Sequence, residues 1–177
     1  MITVAILTIS DSAVAGTRED LSGPSLEKRC EELGWMVTER ILTNDDEDAI
    51  ATILADRVDR FAASLILTTG GTGVAPRDVT PEATRRVLDR QIPGIAELMR
   101  AEGRAQTKFA VLSRGLAGSR KRSLIVNLPG SPKGALHSLN VIAELVPHAV
   151  ELLQGKTEHP ATNDRTVVET QQRAVTS

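Results

Sequence analysis

The stretch Leu67-Thr-Thr-Gly-Gly-Thr-Gly73 decides how the fold is interpreted, because it joins a short apolar run to a loop of glycine and threonine. The run Ser64–Leu67 is typical of a strand that is buried on both faces of a sheet. Glycines let main-chain N–H groups approach an anion closely, and a helix beginning near Pro81 would add its N-terminal dipole. We therefore predict a phosphate site at Thr69, Gly70, Gly71, Thr72 and Gly73.

This loop matches neither the dinucleotide pattern GxGxxG nor the P-loop GxxxxGK[ST], so neither of those mechanisms applies to it. The alternative interpretation is that its glycines only turn the chain. The pair Arg77-Asp78 in the same loop favours a functional site over that alternative.

Strand and helix patterns alternate along the rest of the chain. Apolar runs at Ile2–Ile9 and Leu124–Leu128 also end in loops that are rich in Gly, Ser, Asp or Pro. Amphipathic helical patterns lie between the runs, and Trp35–Leu42 indicates a second strand near an edge. The alternation predicts a parallel α/β sheet whose ligands lie beyond the carboxyl ends of the strands.

Proline and polar residues predict several local features of these elements. A capping side chain precedes a helix-starting proline at Ser22-Gly23-Pro24, Thr80-Pro81 and Ser131-Pro132. Ile92-Pro93-Gly94 predicts a short helix through Met99, and Phe109–Ser113 predicts a strand that is followed by a basic loop.

Acidic and basic side chains follow the predicted strands. Ser10 and Asp11 come after the first strand, where they either hold a polar ligand or cap the loop. Glu47 and Asp48 are expected to begin a helix, whereas Asp45 and Asp46 could reach a Mg²⁺ ion above the sheet. In the loop Asn127–Gly134, Ser131 is a predicted cap, and Lys133 opposes the helix dipole unless an anion compensates its charge.

Composition excludes several classes of protein. The chain has 21 Lys and Arg residues and 23 Asp and Glu residues, which gives a net charge of −2. This overall charge would not attract nucleic acid or an anionic membrane. One Trp, two Phe and no Tyr offer little for stacking bases. The single cysteine, Cys30, cannot form a disulfide within the chain. A structural zinc site is also excluded, because the sequence has no cluster of Cys and His residues. No signal peptide or membrane span is predicted, so we expect a soluble cytoplasmic protein.

The titratable residues outside these loops are not expected to be catalytic. Cys30 occupies an apolar helix position, and His137, His148 and His159 lie in or beyond the last helices, away from the glycine-rich loops. Residues 1–155 are predicted to form one domain. Residues 156–177 lack large apolar groups and are predicted to be a polar tail, loose or lying on a neighbour.

Taken together, the loops resemble those of the MogA/MoaB family of molybdenum cofactor biosynthesis proteins, which are relatives of the gephyrin G domain. The resemblance covers about residues 2–155. Its motifs are TISD, SGP, TTGGTG followed by PRDVTPEA at 68–83, LSR with AG at 112–118, and NLPGSPKG at 127–134. The resemblance implies a three-layer α/β/α sandwich with a mostly parallel central sheet. It also implies a homotrimer and the transfer of AMP from Mg-ATP to molybdopterin.

The family also implies roles for individual residues. Two carboxylates are required for adenylylation and hold the metal; they fall on Asp78 and on Asp45, with Asp46 left open as the alternative to Asp45. The nucleotide phosphates are assigned to Thr69, Gly70, Gly71, Thr72, Gly73, Ser10 and Asp11. Molybdopterin is assigned to Ser113, Arg114, Pro129, Gly130, Ser131 and Lys133.

The implied reaction agrees with the residues that are present. The terminal phosphate of the pterin substrate is already ionised near neutral pH, so its attack on ATP needs no general base. Two alternatives stay open: a non-catalytic molybdopterin-binding or scaffold member of the family, and an unrelated phosphate-binding hydrolase. The sequence does not separate the MogA kind from the MoaB kind, and other molybdenum cofactor biosynthesis proteins are possible partners.

Overall fold

The computed structural model describes residues 1–156, and within them six strands form one sheet. The sheet order is β2-β1-β3-β6-β5-β4. Strands β2, β1, β3 and β6 run parallel to one another, β5 is antiparallel to β6, and β4 is antiparallel to β5. The sheet is therefore mostly parallel, as the alternation predicts, with β2 at an edge. The strands are β1 Thr3–Ile9, β2 Met36–Thr43, β3 Leu65–Thr69, β4 Arg90–Gln91, β5 Ala117–Arg120 and β6 Ser123–Leu128.

Helices cover both faces of the sheet, because alternate side chains of the buried strands point to opposite sides. Val4 and Ile6 of β1 pack in a core with α2, α5, α6 and α7, whereas Ala5 and Leu7 pack in a second core with α3 and α4. This confirms the three-layer α/β/α sandwich. The helices are α1 Asp11–Val14, α2 Ser22–Glu32, α3 Glu47–Asp59, α4 Thr80–Val87, α5 Pro93–Gly103, α6 Pro132–Ile142 and α7 Leu145–Leu153, with a 3₁₀ helix at Lys108–Leu112.

Of the three predicted caps, only Ser131 acts as one, with its Oγ accepting from the Gly134 N–H at 3.2 Å. The Ser22 hydroxyl instead donates to the Gly130 carbonyl at 3.0 Å, and the Thr80 hydroxyl donates to the Gly70 carbonyl at 2.9 Å. Both predictions of capping were wrong for the same reason. The carbonyl of a loop that is distant in sequence lies within reach of each hydroxyl.

The predicted strand at Phe109–Ser113 was also wrong, since this segment forms the 3₁₀ helix and leaves Phe109 and Val111 exposed. A strand needs a free sheet edge, and the edge of β6 is taken by β5, in which Ala117 pairs with Val126. No helix of residues 1–156 is both long and apolar enough to cross a membrane. The predicted tail lies outside the described residues from position 157 onward.

Candidate active site

The carboxyl ends of β1, β3 and β6 lie side by side, since Thr8 pairs with Thr69 and Thr69 pairs with Leu128. From β1 the chain goes first to β2 on one side and then to β3 on the other, so the strand order reverses between β1 and β3. A crevice forms at such a reversal, because the loops leave the two strands in opposite directions. The glycine-rich loop follows β3 and therefore borders this crevice.

Close packing explains why glycine follows β3. A β-carbon built on Gly70, whose φ is +105°, would lie 2.1 Å from the Ile9 carbonyl oxygen. One built on Gly71, whose φ is +62°, would lie 2.3 Å from the Thr80 Oγ1. The Thr69 hydroxyl fastens the loop to the β6 side by donating to the Pro129 carbonyl at 2.7 Å. The loop is thus held against β1, α4 and the end of β6.

A polar cleft of about 300 Å³ occupies the crevice. Two arginines lie on its wall, Arg18 and Arg77, and their side chains form no hydrogen bond or ion pair within residues 1–156, so their guanidinium groups can reach an anion. Arg18 was not among the predicted residues; it follows no motif, and only its place in the loop between β1 and α2 could have indicated it. The predicted residues that line the cleft are Ser10, Asp11, Asp45, Thr69, Gly70, Gly71, Asp78, Gly130 and Ser131.

Two reciprocal hydrogen bonds place Asp45 in the cleft. The Asp11 N–H donates to Asp45 Oδ2 at 3.2 Å, and the Asp45 N–H donates to Asp11 Oδ1 at 3.0 Å. Asp46 has a different contact, because its Oδ1 accepts from the Ala49 N–H at 2.7 Å and caps α3. Of the two adjacent acids, Asp45 lines the cleft and Asp46 begins a helix.

The surroundings of Asp45 oppose its ionisation. Desolvation is the main reason that the pKa of Asp45 is raised, and the nearby carboxylates of Asp11 and Asp78 act in the same direction. The hydrogen bond from the Asp11 N–H and the charge of Arg77 act against the rise. Like charges that are gathered in this way are stabilised by a cation, so the cleft has the electrostatic character of a cation site.

Whether these acids fit a magnesium ion depends on the number of ligands they supply. Asp78 Oδ2 accepts from the Ala75 N–H at 2.8 Å, and its other oxygen has no hydrogen-bond partner in the described part of the chain. The same part of the chain holds no group of three or more His, Cys, Asp or Glu that could hold a metal ion. Mg²⁺ is commonly bound by one or two carboxylates with substrate phosphates and water. Asp45 and Asp78 therefore fit Mg²⁺ when a phosphate ligand completes the shell.

Arg114 braces the loop that carries Asp78. Its Nε donates to the Gly73 carbonyl at 2.6 Å, a second nitrogen donates to the Asp78 carbonyl, and a third pairs with Glu82 of α4. Its main-chain N–H donates to the Thr72 carbonyl at 2.9 Å. All three guanidinium nitrogens thus have partners within the protein. Arg114 lines neither the polar cleft nor the apolar space beside it.

A second space of about 480 Å³ adjoins the cleft and is mostly apolar. The two share Gly71, Asp78, Gly130 and Ser131 on their walls. Met99 of α5 and Phe109 and Leu112 around the 3₁₀ helix supply apolar surface. We call this space the apolar cavity. The predicted residues Thr72, Gly73, Ser113 and Pro129 line it, whereas Lys133 is exposed and lines neither space.

The histidines are not all remote from the glycine-rich loop, which corrects the prediction. His137 lies on α6 and lines the apolar cavity together with Gly71 and Gly73. His148 is exposed on α7, and His159 lies outside the described residues. The sequence places His137 far from the loop along the chain, but the β6–α6 connection folds beside it. Cys30 is buried in α2, where burial raises the pKa of its thiol to about 12.

Comparison with known proteins agrees with this geometry. The family model described as "Probable molybdopterin binding domain" matches residues 5–148. The chain is 43% identical over 155 residues to the molybdenum cofactor synthesis protein cinnamon of Drosophila melanogaster, covering 86% of this chain and 26% of that longer protein. It is 39% identical over 154 residues to the molybdopterin adenylyltransferase of Helicobacter pylori strain J99, covering 86% of this chain and 88% of the relative.

Solved structures give the same result. The MoaB molybdopterin biosynthesis enzyme of Thermus thermophilus superposes with a TM-score of 0.84 at 48% identity, covering 88% of this chain and 98% of that one. A MogA structure superposes with a TM-score of 0.81 at 38% identity, covering 85% and 99% of the two chains. The chain therefore belongs to the MogA/MoaB family of molybdopterin-binding proteins.

Proposed function

We propose that this protein is a molybdopterin adenylyltransferase, which transfers AMP from Mg-ATP to molybdopterin and releases pyrophosphate. The observation that carries the proposal is the place of Asp78, whose side chain borders both the polar cleft and the apolar cavity. An adenylyl transfer needs a polyphosphate and an acceptor phosphate to meet at one point. The wall that the two spaces share is such a point. Relatives that are 36–39% identical carry this activity in their names.

The polar cleft is proposed to hold the phosphates of ATP. The N–H group of Gly71 is a candidate donor, while that of Gly70 donates to the Leu128 carbonyl at 3.4 Å and keeps the loop close to the end of β6. Arg18 and Arg77 supply positive charge, because their side chains form no ion pair in the described chain. Asp45 and Asp78 would hold Mg²⁺ against these phosphates. When bound, the ion neutralises charge on the leaving pyrophosphate. Ser10 and Asp11 complete the wall on the β1 side.

The apolar cavity is proposed to receive the pterin of molybdopterin. Ser113, Pro129, Gly130 and Ser131 line it and keep the substrate-binding role that the resemblance implies. Lys133 follows Pro132, which lines the cleft, and precedes Gly134, which lines the cavity, and its exposed side chain is proposed to reach the phosphate of molybdopterin. For Arg114 we propose a role in positioning the loop, because its guanidinium is engaged with Gly73, Asp78 and Glu82.

The chemical step needs no proton transfer from this chain. An oxygen of the molybdopterin phosphate forms a bond to the α-phosphorus of ATP, the bond from that phosphorus to the bridging oxygen breaks, and pyrophosphate leaves with the electron pair. Because the nucleophile is already ionised, the residues contribute position and charge stabilisation. The main contributors are the glycine-rich loop, Arg18, Arg77 and the two metal-binding acids.

Incubation with molybdopterin, ATP and Mg²⁺ tests this proposal. We expect adenylylated molybdopterin and pyrophosphate in equal amounts, and no product after chelation of divalent metal or with an ATP analogue that has a methylene bridge between the α- and β-phosphates. Binding of molybdopterin without turnover would favour the scaffold alternative. Pyrophosphate released without molybdopterin would favour a hydrolase.

We also propose a homotrimer in the cytoplasm, on the strength of the family resemblance. Sedimentation at micromolar concentration should give three times the chain mass of 19.0 kDa. A stable monomer would contradict the trimer.

Truncation after Gly155 should leave the rate of AMP transfer unchanged, because residues 156–177 have too few apolar groups to join the core.

A further inference from the structure

His137 has hydrogen-bonding capacity that the protein leaves unused. It lies on the wall of the apolar cavity, and its Nε2 is buried without a hydrogen-bond partner within the described residues. Gly134 and Ser138, three residues before and one after it on α6, line the same cavity. A buried polar atom without a partner lowers stability, so its presence in a folded protein calls for a physical explanation.

Two other polar side chains on the cavity wall, those of Arg100 and Asn127, already have hydrogen-bond partners within the protein. Arg100 donates to two main-chain carbonyls. Asn127 donates to two threonine hydroxyls and accepts from a main-chain N–H. These two side chains hold the surrounding loops and strands together. The imidazole of His137 is different, because a molecule that enters the cavity could supply its missing partner.

We propose that His137 binds the pterin ring of molybdopterin through a hydrogen bond at Nε2 and is a specificity-determining residue of the acceptor site. This inference rests on the proposed function, which puts the pterin in the apolar cavity. The edge of a pterin presents ring nitrogens, an amino group and a carbonyl oxygen. A neutral imidazole has one donor nitrogen and one acceptor nitrogen, so one of its two tautomers matches either kind of group.

The surroundings of His137 suit a flat heteroaromatic ring. Met99, Phe109 and Leu112 offer apolar surface for the faces of the ring, while the polar groups at the edge of the ring need hydrogen-bonding partners. The χ2 torsion of histidine has a broad energy profile, so the imidazole can turn Nε2 toward the pterin without movement of the backbone. A purely apolar wall would bind the faces of the pterin but would leave its polar edge unpaired.

The test measures molybdopterin binding at equilibrium, without ATP, alongside the steady-state KM values for molybdopterin and ATP. His137→Phe should weaken molybdopterin binding about tenfold, because a buried polar group of the ligand loses its partner. The KM for ATP should not change. His137→Gln should keep most of the affinity, since its amide can donate or accept. His148→Gln, at an exposed histidine on α7, is the matched control and should behave as the wild type.

Stability separates this role from a structural one. Without ligand, His137→Phe should unfold at the same temperature as the wild type or a higher one, because it removes a buried unpaired nitrogen. If that variant fails to fold, His137→Leu must lose affinity while His137→Gln retains it. Unchanged molybdopterin affinity in His137→Phe, or an equal loss of affinity for ATP, would overturn the inference. A wild type that binds molybdopterin but transfers no AMP would refute only the proposed function.

Discussion

Arg114 and Glu82 form an ion pair that joins the segment after the 3₁₀ helix to α4. The same guanidinium donates to the carbonyls of Gly73 and Asp78, on either side of the turn that carries Arg77. Burial raises the pKa of Glu82 and the hydrogen bond from Arg114 lowers it, and the net shift is downward. One side chain thus sets the path of the main chain between the glycine-rich loop and Asp78.

Arg114→Lys should lower the kcat for AMP transfer about 10–100-fold, because the donors of an ammonium group all lie on one nitrogen and cannot reach the acceptors that three guanidinium nitrogens bind. The KM for molybdopterin should change little if Arg114 positions the loop, whereas a direct contact with molybdopterin would raise it. Glu82→Gln should be milder, since the amide oxygen still accepts. A double-mutant cycle on unfolding should give about 1 kcal/mol of coupling between the two residues. Additive effects of the two substitutions on the free energy of unfolding would contradict a stabilising role for the Arg114–Glu82 ion pair.

Asp45→Asn and Asp78→Asn should each reduce adenylylation about a thousandfold, because asparagine keeps the shape but loses the charge that a hard divalent cation requires. Molybdopterin affinity should stay within about twofold of the wild type, since Asp45 does not line the apolar cavity and Asp78→Asn keeps the shape of the wall there. Steady-state kinetics and equilibrium binding on the same preparations check both expectations. Near-wild-type turnover in Asp78→Asn would remove the central part of the proposed mechanism.

Asp46→Ala should affect stability and not chemistry. Loss of the cap contact with the Ala49 N–H should lower the free energy of unfolding by about 1 kcal/mol, while Asp46→Asn, which still caps, should be almost neutral. Urea denaturation and the adenylylation rate are the two measurements. A greater loss of turnover at Asp46 than at Asp45 would shift the metal site by one residue.

Asp45 should make stability depend on pH with a definite sign. Its pKa is raised above the usual value of 3.8, so the folded chain binds this proton more tightly than the unfolded chain does. The resulting stabilisation is present below pH 3.8 and is lost as the pH rises through the folded-state pKa. Asp45→Asn should therefore be more stable than the wild type at pH 7, and the gain should shrink toward acid pH. Lower stability of the variant at pH 7, measured by denaturant titration, would contradict this electrostatic account.

Gly70→Ala should lower the free energy of unfolding by about 2–4 kcal/mol, from backbone strain at positive φ combined with overlap against the Ile9 carbonyl. Gly34→Ala is the matched control, because Gly34 has a φ of +75° but nothing within 4 Å of its added β-carbon. It should lose only about 1–2 kcal/mol. Equal decreases in the free energy of unfolding of the two variants would mean that the close approach of Gly70 to the Ile9 carbonyl does not contribute to the effect.

Local patterns in the sequence were sufficient for the four parallel strands and for the main loop of the site, but not for β4 or for β5, which lies where a basic loop was predicted. The apolar runs that became β1, β3 and β6 are buried on both faces, and burial leaves a direct signature in residue type. The polar alternation of β2 predicted its place at an edge. The glycine-rich loop could be located because positive φ and close backbone approach restrict those positions to glycine.

Partners that are distant in sequence could be decided only by the tertiary structure. Ser22 and Thr80 are residue types that commonly cap helix N-termini, yet their hydroxyls donate to the carbonyls of Gly130 and Gly70. Asp45 and Asp46 are both acidic residues just before a helix, but they have different contacts. Asp45 is hydrogen-bonded to Asp11 in the cleft, whereas Asp46 caps α3. A polar side chain can satisfy its hydrogen bonds in several ways at similar free energy. The fold selects one of these ways by what it brings within about 3 Å, which no local pattern records.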